Sequence, residues 1–164
     1  MIGRQSGHGS DRWEAGSHCR QRAGREFVMT SIGSIMLVSE DGAIRPESVA
    51  YSVELARRLG ASVSILMLIA VSDAAGGEGE RTLREAAETI AAQGIRLGSS
   101  EIRRGDKASE FLKHLAVSAS PSTIVWGSDR EVLTDRRFKR SGHWLAKVAG
   151  QIHCPIVAPS LKGA

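Results

Sequence analysis

A short acidic segment of the chain comes directly after an apolar run. Residues 39–42 read Ser-Glu-Asp-Gly and close the run that begins at Ile35. If this run is a strand of a parallel sheet, Asp41 lies at the carboxyl edge of the sheet, where ligands of such folds bind. Its carboxylate could accept hydrogen bonds from a ribose or from an adenine amino group. The alternative is a plain turn, because Asp-Gly pairs favour turns in any protein.

Two glycine-containing segments could lie against a phosphate. Gly127, Ser128 and Arg130 follow another apolar run, and Gly142 and His143 stand at the start of a helical pattern. Glycine lets the backbone approach a phosphate closely, and the free N–H groups of a helix N-terminus attract anions. Glycines at strand ends and helix caps are also common without any ligand, so a purely structural role stays open.

The loop between these two segments, residues 129–140, is rich in basic side chains. They are Arg130, Arg136, Arg137, Lys139 and Arg140. Such side chains could bind a triphosphate or an acidic partner. Three acidic residues in the same loop also fit a solvated loop of mixed charge, whose exposed ion pairs contribute little.

Residue types suited to metal binding or hydrolysis lack the spacing that such chemistry needs. The five histidines and two cysteines do not form the paired spacing of zinc ligands. The sequence has no Gly-x-Ser-x-Gly elbow after a strand, and residues 110–114 lack the first histidine of a zincin helix. We therefore predict no metal and assign no catalytic residue.

Short apolar runs alternate with helical patterns and predict the elements that position these segments. Strands are predicted over residues 35–39, 63–71, 95–102, 123–126 and 156–158. Helices are predicted from Pro46 to a stop at Gly60, over residues 80–93, from the N-cap Asp106, and from near Ser141. This order predicts an α/β fold: a doubly wound, Rossmann-like sheet of five parallel strands flanked by four helices, with the ligand crevice where strand order reverses.

Composition indicates one ordinary domain with a separate N-terminal tail. The chain has 164 residues, of which 41% are hydrophobic and 24% charged, with a net charge of +4. Residues 1–28 hold five glycines and five arginines without apolar periodicity, so we predict a disordered tail before a domain over residues 29–164. Met29 is a candidate for the true start of translation.

The same features exclude several classes of partner. The longest apolar stretch, residues 65–71, is far shorter than the roughly 20 residues that span a bilayer, so no membrane span is predicted. Aromatic content is 4% and no basic stripe stands out, which argues against nucleic acid. Cys19 and Cys154 lie far apart without redox spacing, which favours free thiols and a cytoplasmic protein.

Taken in order, five segments resemble the universal stress protein family over residues 34 to about 160. They are residues 35–42, ending in Asp-Gly; 55–63, a helix running into a strand; 101–106, before the third helix; 124–128; and 154–157, Cys-Pro-Ile-Val. The resemblance implies a five-stranded parallel sheet and a homodimer formed through the last strand. ATP-binding members resemble one another in a motif of Gly, two residues, Gly, nine residues, and Gly followed by Ser or Thr.

The match to that motif is partial. Gly127 fits the first position and Gly142 the third, but Arg130 replaces the second glycine and His143 replaces the hydroxyl residue. Eleven residues, two more than in the motif, separate Arg130 from Gly142. A side chain at the second glycine adds bulk where the backbone should cup a phosphate. The resemblance therefore implies a weakened site for ATP.

The residues on the adenosine side of the implied pocket are better preserved. They are Asp41, Gly42 and the carboxyl end of the second strand near Ala70 and Val71. Our interpretation is a dimeric regulatory protein of the stress response with a weakened adenine-nucleotide pocket and an unidentified protein partner. One alternative is an ATP-binding switch in which the basic loop replaces the lost glycine. Another is a nucleotidyl-transfer enzyme, which would need a pyrophosphate loop early in the chain.

Overall fold

A computed structural model of the chain describes residues 33–72, 77–129, 131–134 and 142–160. Several sequence predictions therefore lie outside the described residues. These are the tail and the domain start at residue 29, together with Arg130, the basic residues 136–140 and Ser141.

The predicted α/β fold with a doubly wound parallel sheet is confirmed. The strands are β1 Ser34–Glu40, β2 Ser62–Ile69, β3 Leu97–Arg104, β4 Thr123–Trp126 and β5 Ile156–Val157. All neighbouring strands pair in parallel, in the order β3-β2-β1-β4-β5. The chain therefore builds one half of the sheet outward from β1, and then returns to build the other half.

Helices connect the strands. They are α1 Pro46–Leu59, α2 Glu78–Ala92, α3 Lys107–Val117, the single turn α4 Glu131–Thr134, and α5 Trp144–Val148, which continues as a 3-10 turn over Ala149–Gln151. Pro46 opens α1, and Gly60 ends it in the left-handed conformation with φ 63°. The Asp106 side chain caps α3 by accepting a 2.9 Å hydrogen bond from the Ser109 N–H. Among the described residues, none of the helices combines the length and apolarity needed to cross a membrane.

Three predicted elements have wrong boundaries. The second strand ends at Ile69, so Ala70 and Val71 lie in the following turn. The third strand runs over Leu97–Arg104 rather than 95–102, because Gly94 turns with φ 74° and the Ile95 N–H still bonds the Ile90 carbonyl of α2. The last helix begins at Trp144 rather than near residue 141, because Gly142 has φ 71° and His143 is the N-cap.

Two hydrophobic cores lie on opposite faces of the sheet. Successive side chains of β1, the central strand, point alternately into one core and the other. Ile35 and Leu37 face α1 and α2, whereas Met36 and Val38 face α3 and α5. The second core is built around Phe111 and the two tryptophans Trp126 and Trp144. Both tryptophans are buried, so they form part of the core beneath the crevice.

α3 also buries a titratable side chain, His114, whose side chain is 2% exposed. Its Nε2 lies 3.2 Å from the Ser118 hydroxyl, and its Nδ1 lies 3.5 Å from a carboxylate oxygen of Glu101. Burial lowers the pKa of His114 below its usual 6.5, although Glu101 acts in the opposite direction. The folded protein therefore holds this imidazole in its neutral form.

We expect His114 to make the protein less stable as the pH falls below neutrality. The unfolded chain takes up a proton near pH 6.5 but the folded chain only at lower pH, so the free energy of unfolding decreases as the pH falls through this window. The slope is at most about 1.4 kcal/mol per pH unit for one group. Urea unfolding of the wild type and of His114→Gln between pH 7.5 and 5 measures it. Equal slopes for the two proteins would contradict the assignment.

Candidate functional site

The order of the strands reverses between β1 and β4. From β1 the chain adds β2 and β3 on one side, and then crosses to β4 and β5 on the other. The helices that follow β1 and β4 therefore leave on opposite sides, which opens a crevice at the carboxyl ends of these two strands. We call this place the β1/β4 crevice.

Hydrogen bonds tie the ends of β1 and β4 together below the crevice. The Gly127 N–H donates to the Val38 carbonyl at 2.7 Å, and the Glu40 N–H donates to the Ser128 hydroxyl at 2.7 Å. A Cβ on Gly127 would stand 3.1 Å from the Val38 oxygen and 3.2 Å from Leu37 Cδ1. Close packing of the two strands thus explains why residue 127 is glycine. The buried hydroxyl of Ser128 is hydrogen-bonded to the backbone of β1.

The predicted Asp-Gly turn lies at the lip of the crevice. Asp41 has φ 57° and Gly42 has φ 80°, and the Asp41 N–H donates to the Leu68 carbonyl of β2 at 3.1 Å. Asp tolerates the left-handed region better than most residues with a side chain, and Gly adopts it freely. The turn leaves the Asp41 side chain 49% exposed, with Oδ1 2.5 Å from Lys107 Nζ. Both interpretations of the segment, a turn and a ligand site, are compatible with this geometry.

The Glu40 carboxylate lies inside the crevice and gathers donors from two helices. Its Oε2 accepts a 2.8 Å hydrogen bond from Trp144 Nε1 and lies 3.2 Å from Lys107 Nζ, and its Oε1 lies 3.2 Å from His143 Nε2. The Glu40 side chain is only 12% exposed, and that of Lys107 is 16% exposed. Three residues therefore converge on Glu40, the last residue of β1. They are Lys107, the first residue of α3; His143, the N-cap of α5; and Trp144, the first residue of α5.

These contacts fix the charges in the crevice. Burial alone would raise the pKa of Glu40, but hydrogen bonds from Trp144 and His143 and the Lys107 cation together bring it below its usual value. Burial likewise opposes the charge of Lys107, yet Asp41 and Glu40 raise its pKa. Glu40 and Lys107 therefore both carry their charge at neutral pH.

The hydrogen bonds of His143 define its tautomer. Its Nδ1 accepts a 3.2 Å hydrogen bond from the Leu145 N–H, so the neutral ring carries its proton on Nε2. That proton faces Glu40 Oε1, and the imidazole therefore donates to the carboxylate. The ring also stands edge-on to Trp126, with centroids 5.9 Å apart.

The other predicted site residues lie around this network. Ala70 and Val71 follow the end of β2, and Val71 is 79% exposed. Gly142 is exposed, with no atom within 4 Å of a Cβ built on it. Arg130 is outside the described residues. Within the described ranges, no group of three or more His, Cys, Asp or Glu side chains is arranged to hold a metal ion.

Sequence reasoning missed three residues of the network: Glu40, Lys107 and Trp144. Glu40 stands beside Asp41 in the same segment, but nothing in the sequence says which carboxylate turns inward. Lys107 follows the N-cap Asp106, and a basic residue at the start of a helix goes against the helix dipole. That mismatch was the available signal for a partner elsewhere in the fold.

Solved structures of universal stress proteins match this fold. A protein from the universal stress protein family of Burkholderia pseudomallei matches with a TM-score of 0.54 and 19% identity, over 79% of this chain and 97% of its own. A universal stress protein in complex with cAMP matches with a TM-score of 0.52 and 17% identity, over 79% of this chain and 98% of its own. The chain has the universal stress protein fold.

A third matching structure is also that of a universal stress protein. The universal stress protein from Archaeoglobus fulgidus, in complex with dAMP, matches with a TM-score of 0.52 and 19% identity, over 77% of this chain and 98% of its own. No protein-family model matches the sequence, and no curated protein matches it either. At such low identity the likeness establishes the universal stress protein fold, while the ligand has to be argued from the residues of the crevice.

Proposed function

We propose that this protein is a regulatory protein of the stress response that binds an adenine nucleoside or nucleotide in the β1/β4 crevice and works as a homodimer. The observation that carries the proposal is the position of the Asp41-Gly42 turn, at the strand-order reversal of the sheet. Two matching structures with this fold hold cAMP and dAMP. We propose binding without turnover, since the sequence motifs assign no catalytic residue.

The adenosine half of the ligand fits the lip of the crevice. The half-exposed Asp41 carboxylate can accept hydrogen bonds from ribose hydroxyls or an adenine amino group. Gly42 keeps the turn open, and Val71 presents an exposed apolar side chain just beyond the neighbouring strand. In our proposal Ala70 and Val71 cover one face of the base.

The phosphate half of the pocket is weakened. In our proposal it consists of Gly127, Ser128, Gly142 and His143, with Arg130 from outside the described residues. The Ser128 hydroxyl already donates to the Glu40 carbonyl at 3.4 Å, and His143 Nε2 already faces Glu40 Oε1 at 3.2 Å. Donors that are already used within the protein contribute little to a phosphate, so we propose that ATP binds weakly.

The edge of the sheet supplies the proposed dimer surface. Among the described residues, β5 pairs with β4 alone, and its two residues, Ile156 and Val157, are half-buried. An open edge strand is a template for pairing with a second chain, here a second copy. Cys154, just before this strand, is a free thiol, which fits the cytoplasmic location that we propose.

Calorimetric titration of adenosine, AMP and ATP, with and without Mg²⁺, into the full chain tests the ligand. We expect saturable binding of adenosine with one site per chain and no steady hydrolysis of ATP. Asp41→Asn should weaken adenosine binding about tenfold, because a hydrogen bond to a charged group is worth about 1.5–3 kcal/mol.

The matched control is Glu54→Gln, which removes one negative charge from the exposed face of α1. It should leave adenosine binding unchanged. Absence of binding by all three compounds at millimolar concentration would refute the proposed ligand, and steady ATP turnover would refute the assignment as a binding protein.

A further inference from the structure

The Glu40 carboxylate takes up the donors in the crevice that an anionic ligand would need. Lys107 provides the ammonium, Trp144 provides an indole N–H and His143 provides an imidazole N–H, and all three are directed at Glu40. The Lys107 ammonium also forms an ion pair with the Asp41 carboxylate. Around this point the described part of the chain presents two carboxylates for one ammonium.

Three of the backbone donors nearby are also bonded within the protein. The Ser109 N–H at the start of α3 donates to the Asp106 carboxylate at 2.9 Å. At the start of α5 the Leu145 N–H donates to His143 Nδ1 and the Ala146 N–H to the His143 carbonyl. A phosphate entering here would face the buried Glu40 charge, and it could use these donors only after their existing hydrogen bonds break.

We propose that Glu40 sets the charge selectivity of the crevice, so that the site prefers an uncharged nucleoside to its phosphorylated forms. This inference rests on the proposed adenine-binding function and names the ligand class. A neutral nucleoside needs acceptors for its hydroxyl and amino groups, and the half-exposed Asp41 carboxylate supplies them. A phosphate adds negative charge beside a carboxylate that is itself only 12% exposed, where solvent screens the repulsion poorly.

The first test uses the wild-type chain alone. Titration calorimetry without Mg²⁺ should give the affinity order adenosine, then AMP, then ATP. Raising the salt concentration should narrow the differences, because ions screen charge repulsion. Tighter binding of AMP than of adenosine would overturn the proposal whether or not any variant folds.

The second test is Glu40→Gln, which keeps the shape of the side chain and removes its charge. We expect the affinity for AMP and ATP to rise about tenfold or more relative to adenosine, because two unit charges near a protein surface interact strongly at short range. Glu54→Gln, which removes a charge far from the crevice, should leave the ratio unchanged. Circular dichroism establishes that each variant is folded.

The outcomes separate this inference from the proposed function. If adenosine binds and the ratio of AMP to adenosine affinity is the same in the wild type and Glu40→Gln, charge selection by Glu40 is wrong and the adenine site stands. If no adenine compound binds to either protein, both the site and its selectivity are wrong.

Discussion

Phe111→Ala should lower the free energy of unfolding by about 3–5 kcal/mol, the usual loss when a large aromatic side chain is deleted from a core. Phe111 on α3 is fully buried, and its ring meets the Trp144 ring of α5 edge-on with centroids 5.4 Å apart. The ring therefore joins the two helices whose first residues converge on Glu40. Urea unfolding followed by circular dichroism measures the loss.

Phe111→Leu is the matched control, because leucine keeps much of the buried apolar area and loses only the aromatic contact. It should cost less than half as much as the alanine variant. Leu112, the next residue on α3, is only partly buried, so Leu112→Ala should cost less than Phe111→Ala. A loss below about 1 kcal/mol for Phe111→Ala would mean that this ring does not anchor α3.

The buried half of the fold could be predicted well from sequence. β1 and β4 are apolar on both faces, as expected for strands covered by helices on each side, and the prediction for β4 matches the strand Thr123–Trp126. Both ends of α1 could be predicted, because Pro46 favours the first turn of a helix and Gly60 favours its C-terminus. Burial and helix termination depend on residues that are close together in the sequence, so local sequence patterns predict them.

The edges of the sheet could not be predicted as well. β3 is an edge strand with alternating exposure, and it ends in the charged residues Arg103 and Arg104. The predicted strand therefore has the observed length of eight residues but begins two residues too early, at Ile95 instead of Leu97. The end of α5 was also hard to predict. Apolar residues continue at helical spacing to Ile152, but the regular helix stops at Val148 and a 3-10 turn follows.

The strand-order reversal that forms the crevice could be predicted from the sequence, but the side chains that meet in it could not. The turn at Asp41 follows from the end of a strand, and the sheet order makes it the crevice edge. The partners of Glu40 come from two helices that are distant in sequence, since Lys107 is 67 residues away and Trp144 is 104 residues away. No local sequence pattern predicts these contacts with Glu40, because they depend on where α3 and α5 pack against the sheet.

Ile156→Pro should raise the dissociation constant of the proposed dimer about 30-fold. The Ile124 N–H of β4 donates to the Pro155 carbonyl, and Ile156 lies opposite Ile124 in the register. Since successive residues of a strand direct their backbone groups to alternate sides, the N–H of Ile156 points to the open edge. Two copies related by a two-fold axis would lose two such bonds at about 1 kcal/mol each, which is about 30-fold in Kd.

Ile156→Ala is the matched control, because it removes the same side chain but keeps the N–H of residue 156. Sedimentation equilibrium over a range of protein concentrations should give a dimer for the wild type, a dimer for the alanine variant and mainly monomer for the proline variant. Equal dissociation constants for the alanine and proline variants would mean that the dimer does not use the backbone of β5. The pairing between β4 and β5 survives in both variants, since the groups that bond β4 belong to residues on either side of Ile156.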